Sequence, residues 1–353
     1  MTARLKDLPA ERPIFVTGTE CIGQDGGEDY GGMRRLRRAW AAILLLVLAA
    51  GMSVHPRRQT DGLLKRLDGA HRIGATYSTL SDSFYETINE EIDQQVRSNG
   101  DFLLVRDPEQ SQERQNREIE ELLEERIDLL IVNPVEDQAI KPALEAARRK
   151  GVPVVLIDSR TDEDGLAACT ITSNNYGAGL LDARHLISQT KSAKVVVLGN
   201  EDSLSCRDRL DGFLETLEKS GNDYRILANY DCGGQTELAM DGMRELLEQY
   251  PEIDVVMAVN DLSALGAMAA LEEAGRLEGT LVYSVDGSPD AKTLVADGMM
   301  TATTAQSPLR IGQNTAEVVY EILNNKPYLT NIVVPVSQIT KEDIPRFGTE
   351  GWQ

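Results

Sequence analysis

From residue 71 onward, short β-branched runs alternate with amphipathic, mostly acidic stretches at a repeat of roughly 25–30 residues, the rhythm of βαβ units. No other feature constrains the fold as strongly. A first series of strands is predicted at 72–78, 101–106, 128–133, 153–158 and 169–173. A second is predicted at 194–199, 224–230, 255–260, 280–286 and 301–306. Helical stretches such as 117–126 and 237–249 lie between them. The strands are continuously apolar, as in Val154-Val155-Leu156-Ile157, the pattern of a parallel sheet covered by helices on both faces.

Ten strands are too many for one comfortable open sheet, and the series breaks at a polar stretch near residues 173–175. The expectation is therefore an α/β protein with two doubly wound parallel-sheet lobes. A closed eight-stranded barrel is the rival, and the ten runs and the mid-chain break fit it poorly. A chain of 353 residues is long enough for two domains that each bury a core.

Charge divides the chain into two regimes. Overall there are 36 basic and 57 acidic side chains, a net charge of −21. Residues 1–70 are slightly basic, and nearly all the acidity lies beyond them. An acidic body with no basic block is a poor partner for nucleic acid. The three histidines, His55, His71 and His185, are too scattered for a His-based metal site, and neither metal nor cofactor is expected.

Residues 39–54 form the one long uncharged apolar run, preceded by Arg34, Arg35, Arg37 and Arg38. A basic flank before an apolar core is the pattern of a secretory signal or short signal anchor. Such a helix spans about 24 Å against a hydrocarbon core of roughly 30 Å, a gap that snorkelling arginines close. The cleavage signal at Ala49-Ala50-Gly51 is weak and no lipobox cysteine follows, so a tether is expected. Residues 1–70 are read as a leader, with 1–32 an over-extended start ahead of Met33. The body then lies outside the cytoplasm. Of its cysteines, Cys169, Cys206 and Cys232, free buried thiols are expected, with a Cys206–Cys232 bridge as the alternative.

In open α/β sheets, ligands sit at the carboxyl ends of the strands. Here those ends are polar: Ser78 to Tyr85, Asp158-Ser159-Arg160, Ser205 to Arg209, Asn260-Asp261, Asp286-Gly287 and Gln306-Ser307. Carboxylates, amides and arginine form paired hydrogen bonds with neighbouring hydroxyls, while Phe84 and Tyr85 offer faces for the C–H side of a sugar. Taken singly, each Asp or Asn is more readily a helix cap or turn former, and the two aromatic residues could simply be core. The set carries the sugar reading.

The strings STLSDSFY (78–85), PVVLIDS (153–159), CRDRLDGF (206–213), AVNDLSALGAMAAL (258–271), VDGSPD (285–290) and ATTAQSPLRIG (302–312) resemble, in order and spacing, the periplasmic sugar-binding proteins of the ribose-binding type. These share the fold of lactose-repressor-like ligand domains. The resemblance implies two lobes joined by three hinge crossings, closing on one sugar. It implies first-lobe contacts from Ser78, Asp82, Phe84, Tyr85 and Asp158, and second-lobe contacts from Arg207, Asn260 and Asp286, with Gln306 at a crossing. Asp82 stands where ribose binders place asparagine and Ser159 where they place arginine; Arg160, one residue on, joins the contact set. Gly233-Gly234 occupies the place of a second-lobe aromatic. The implied lobes are 71–173 plus 307–328 and 174–306 plus 329–346, with crossings near 173–174, Gln306 and 328–331.

No GxGxxG after a strand, GxxxxGK[ST], GxSxG or HExxH is present, and a non-enzyme is expected. Asp158 and Asp286 as a glycosidase pair are disfavoured, since a setting beside arginine should keep both ionised. Two roles follow from the resemblance: delivery of a monosaccharide to an ABC permease, or a membrane-anchored sensor that signals to a histidine kinase.

Overall fold

The computed structural model describes residues 69–163 and 165–353. The segment 39–54, and with it the leader and anchor expectations, lies outside the described residues. Among the described residues no helix is long and apolar enough to cross a membrane.

The chain begins β1 (Arg72–Thr76), α1 (Ser83–Asn99), β2 (Phe102–Arg106), α2 (Gln112–Glu124), β3 (Leu129–Val132), α3 (Lys141–Arg149), β4 (Val154–Ile157) and β5 (Cys169–Ser173). It continues with α4 (Asn175–Gln189), β6 (Ser192–Gly199), α5 (Leu204–Ser220), β7 (Asp223–Asp231), α6 (Thr236–Gln249), β8 (Val255–Ala258) and α7 (Asp261–Glu273). The last elements are β9 (Leu281–Asp286), α8 (Pro289–Asp297), β10 (Ala302–Ala305), α9 (Pro308–Leu323), β11 (Asn331–Val334), β12 (Ser337–Thr340) and α10 (Ile344–Phe347).

The strands form two sheets, ordered β11-β5-β4-β3-β1-β2 and β12-β10-β9-β8-β6-β7. The pairings are parallel except for β12, which runs antiparallel to β10. Helices cover both faces of each sheet. In the first, α1 and α9 close one apolar core and α2 and α3 the other. In the second, α6 and α7 close one core and α4 and α5 the other. Double coverage is why β3, β4 and β8 are buried at every position and read as unbroken apolar runs.

Each predicted strand is present, and two more appear near the C-terminus. β11 corrects the lobe division read from the sequence, which gave 329–346 to the second lobe. Asn331–Val334 pairs with Cys169–Ser173 of the first sheet, and Ile332 and Val334 pack into that lobe's core. The chain therefore passes to the second sheet between Val334 and Ser337, and Val336 already packs on the second-lobe core. The other two passages run from β5 into α4, which packs on β9, β10 and β12, and from β10 into α9, which packs on α1 and β5. Cys169, Cys206 and Cys232 are buried free thiols, and the alternative bridge is not formed.

Candidate ligand-binding cleft

The carboxyl ends of the two sheets enclose a cavity of about 390 Å³. Its walls come from the loops after β1 to β4 on one side and after β6 to β10 on the other. In both sheets the strand order reverses here, between β1 and β3 and between β6 and β8. Ser78, Asp82, Phe84, Tyr85, Asp158, Asn260, Asp286 and Gln306 line the cavity; Arg160 and Arg207 do not.

The first-lobe wall is set by a helix cap. Asp82 Oδ1 accepts the Phe84 N–H at 2.9 Å, starting α1 so that Phe84 and Tyr85 fall in its first turn. The Phe84 ring meets Tyr85 edge-on at 5.3 Å and Trp352 at 5.5 Å. The Tyr85 hydroxyl donates to Asp158 Oδ2 at 3.0 Å, and Asn133, which also accepts the Ser78 N–H, donates to the same oxygen at 3.5 Å. Asp158 Oδ1 is left buried without a partner. Its backbone is left-handed, φ 62°, a conformation that an Asp tolerates better than most side chains. Phe84→Ala is expected to lower folding stability by about 3–5 kcal/mol through the cavity it leaves. Urea unfolding measures this, and a loss below about 1 kcal/mol would show that the ring is not packed core.

The second-lobe wall is built on Arg209. Its face of α5 is fixed by the buried stripe Cys206, Leu210, Phe213 and Leu217. Close approach of α4 fixes its position. A Cβ on Gly179 would lie 1.7 Å from the Arg209 carbonyl oxygen, and one on Gly212 would lie 2.0 Å from that of Tyr176. Nothing larger than glycine fits at that crossing. Arg209 Nε donates to Asn175 Oδ1 at 2.9 Å, and Nη1 donates to the Val259 carbonyl at 2.7 Å and Asp286 Oδ1 at 3.3 Å. Gln306 Nε2 donates to the same Asp286 oxygen at 2.8 Å, and the Asp261 N–H, at the start of α7, reaches Oδ2 at 3.4 Å.

Behind Asp286, Asp261 is held by Thr303 Oγ1 at 2.8 Å and the Ser288 N–H at 2.7 Å. Asn260 caps α7 by accepting the Ser263 N–H and donates to the Gly234 carbonyl, each at 2.9 Å. Its polar groups are thus used within the protein, in the duller role open to such a residue. Gly233 and Gly234 complete this wall.

Arg207 and Arg160 need correction. Two residues along a helix turn the side chain by about 200°, so Arg207 points away from the side that Arg209 faces. Its Nη2 lies 3.9 Å from Asp137 Oδ2 of the first lobe. Arg160 forms a two-pronged pair with Asp208 of α5, at 2.5 and 3.1 Å. Both arginines therefore tie lobe to lobe at the edge of the cleft. The Leu204 N–H donates to Asp137, the Asp137 N–H to the Asp202 carbonyl at 3.1 Å, and Ser205 Oγ to the Asp158 carbonyl at 2.6 Å. The start of α5 is thus seated on the loops after β3 and β4, and the lobes are closed.

Burial dominates the electrostatics. It raises the carboxyls of Asp82 and Asp158, and raises that of Asp286 well above its ordinary value despite the opposing pull of Arg209. Asp137, buried between the lobes, is pushed up to about 6. The sequence reading expected arginine to hold Asp158 and Asp286 ionised; loss of solvent is the larger effect. Ser205 and Arg209 belong to a polar strand end named from the sequence but not to the expected contact set, and Asn133 was not singled out at all. The apolar stripe 206, 210, 213 and 217 leaves the two arginines nearly equidistant; only when the small residues Ser205 and Gly212 are added does the buried arc of α5 take in Arg209 and exclude Arg207, whereas Asn133 looks like any strand end.

Comparison with known proteins agrees with this geometry. The profile described as "Periplasmic binding protein domain" matches residues 73–327. The ribose import binding protein of Bacillus subtilis strain 168 is 30% identical over 272 residues, which are 76% of this chain and 87% of that protein. The structure of an ABC transporter solute binding protein from Mycobacterium smegmatis with bound glycerol superposes with a TM-score of 0.75 at 25% identity, covering 80% of this chain and 99% of the other. The fructose binding periplasmic domain of a hybrid two component system gives 0.73 at 26% identity, covering 79% and 92%. With two doubly wound lobes, a cleft at their strand ends and a family match over most of its length, this chain belongs to the periplasmic binding protein family.

Proposed function

We propose that the protein is an extracytoplasmic solute-binding protein that closes on a monosaccharide or similar polyol and delivers it to an ABC-type importer. The observation that carries the reading is the closed cleft itself. Its cavity sits between two polar walls, aromatic side chains line the first wall, and buried Asp158 Oδ1 and Gln306 Oε1 lack partners. Unpartnered buried acceptors call for donors, and sugar hydroxyls supply them. Delivery is supported by the relatives, an import binding protein and an ABC transporter solute binding protein. A ligand that touches both walls favours the closed form by its extra contacts there.

The second reading, an anchored sensor that signals to a histidine kinase, is favoured by the apolar segment 39–54 and by the likeness to a two-component-system domain. It uses the same cleft and closure, with a different partner.

A thermal-shift screen of the full chain against pentoses, hexoses, deoxy sugars and inositols tests the binding step. A ligand specific for the folded state adds about 2.7 kcal/mol at a hundredfold excess over Kd, so a clear rise in Tm with a subset of sugars is expected. Flat traces from a folded sample would exclude the reading.

A further inference from the structure

Among the described residues, six carboxylates line the cavity, those of Asp82, Glu136, Asp158, Asp202, Glu237 and Asp286, against the single guanidinium of Arg209. That guanidinium is largely committed within the wall, through Nε to Asn175 and through Nη1 to Val259 and Asp286. The neighbouring cations face elsewhere: Arg160 pairs with Asp208, Arg207 reaches Asp137, and Lys292 donates to the Gly351 carbonyl at 2.7 Å. Helix N-termini at the cleft offset part of the negative charge, but Asp82 and Asn260 already take up N–H groups at two of them.

The unpartnered atoms point the same way. Asp158 Oδ1 and Gln306 Oε1 are acceptors on residues more than nine-tenths buried. A neutral sugar brings one proton per hydroxyl and no charge. A protonated amine brings three donors and a positive charge to a site with a surplus of both acceptors and carboxylates. Asp82 lies near enough to Asp158 and Asp286 for mutual repulsion, which a cation between them would relieve.

We propose that the cleft selects a polyol ring carrying a protonated amine, an amino sugar or aminocyclitol, with the ammonium group facing Asp158 and Asp82. The proposal rests on the reading of the cleft as a polyol site and narrows it to a cationic ligand.

Calorimetry on the full chain with matched pairs is the test: glucosamine against glucose, galactosamine against galactose, and scyllo-inosamine against scyllo-inositol. In at least one pair the amine is expected to bind tenfold or more tightly than its neutral partner, and N-acetylation is expected to abolish the preference. Asp82→Asn keeps a good helix cap while removing one charge, so the variant should fold. It should shrink the amine preference several-fold, read as the ratio of amine to neutral-sugar affinity within the variant. Neutral sugars that bind as well as or better than their amines would overturn the proposal and leave the polyol reading standing. Silence from every member of the panel would overturn both. An amine preference untouched in Asp82→Asn would remove Asp82 from the assignment.

Discussion

Arg209→Ala is expected to abolish ligand binding and to lower folding stability by about 3–5 kcal/mol, the usual cost of removing one partner from a buried ion pair. Arg209 is 3% exposed. Its loss strands Asn175, the Val259 carbonyl and Asp286 together, and with Asp286 the anchor for Gln306. The deficit should depend on pH. Burial already holds the Asp286 carboxyl above its unfolded value, and without the guanidinium it rises further. A carboxyl raised on folding contributes its full stability below about pH 4, its unfolded range, and loses that contribution as pH climbs toward the folded value. The variant should therefore fall further behind the parent at pH 8 than at pH 5. Arg207→Ala, which removes a half-exposed group at the lobe edge, should stay within about 1 kcal/mol of the parent. Urea unfolding at the two pH values, with the sugar screen as the binding readout, decides the matter. A larger loss in Arg207→Ala, or full binding in Arg209→Ala, would show that the wall is built differently.

Asp182→Asn should do the opposite and stabilise the protein at alkaline pH. Asp182 lies fully buried in α4, where Oδ1 accepts from Thr304 Oγ1 at 2.8 Å and Gln338 Nε2 at 2.9 Å while Oδ2 has no partner. Burial pushes its carboxyl up to about 8. Its folded value thus exceeds an unfolded value near 4, so its stabilising contribution is complete below about pH 4 and drains away as pH rises to 8. Over that window the wild-type protein should lose about 5 kcal/mol from this group alone, an upper bound because water entry relaxes it. Asparagine keeps the Oδ1 acceptor and cannot ionise. The variant should match the parent near pH 5 and exceed it by several kcal/mol at pH 9. Parallel stability curves for the two proteins from pH 5 to 9 would rule this out.

The strands were legible because double coverage leaves no polar face to interrupt them; Val154–Ile157 and Val255–Ala258 announce themselves. β11 and β12 were not legible. They are edge strands with one or two core-facing side chains each, Ile332 and Val334 in one and Ile339 in the other, among exposed or polar neighbours. The resemblance located most of the cleft, since Asp82, Asp158 and Asp286 lie at strand ends, where position along the chain nearly fixes position in space. Arg207 and Arg209 differ by two residues on a helix, and only its phase against the core separates them. The direction of the carboxyl shifts was hidden altogether, because it depends on the depth of burial once two distant segments close together.

The late placement of β11 and β12 bears on how the chain is made. Each sheet takes one edge strand from residues 331–340, so neither lobe is complete until that segment has left the ribosome. A domain encoded in one block folds as it emerges, N-terminal part first. Here the first five strands wait without their closing edge while the second lobe is synthesised, and both lobes finish within the same few residues. Truncation at residue 330 would leave two open sheet edges rather than one intact lobe and one damaged one.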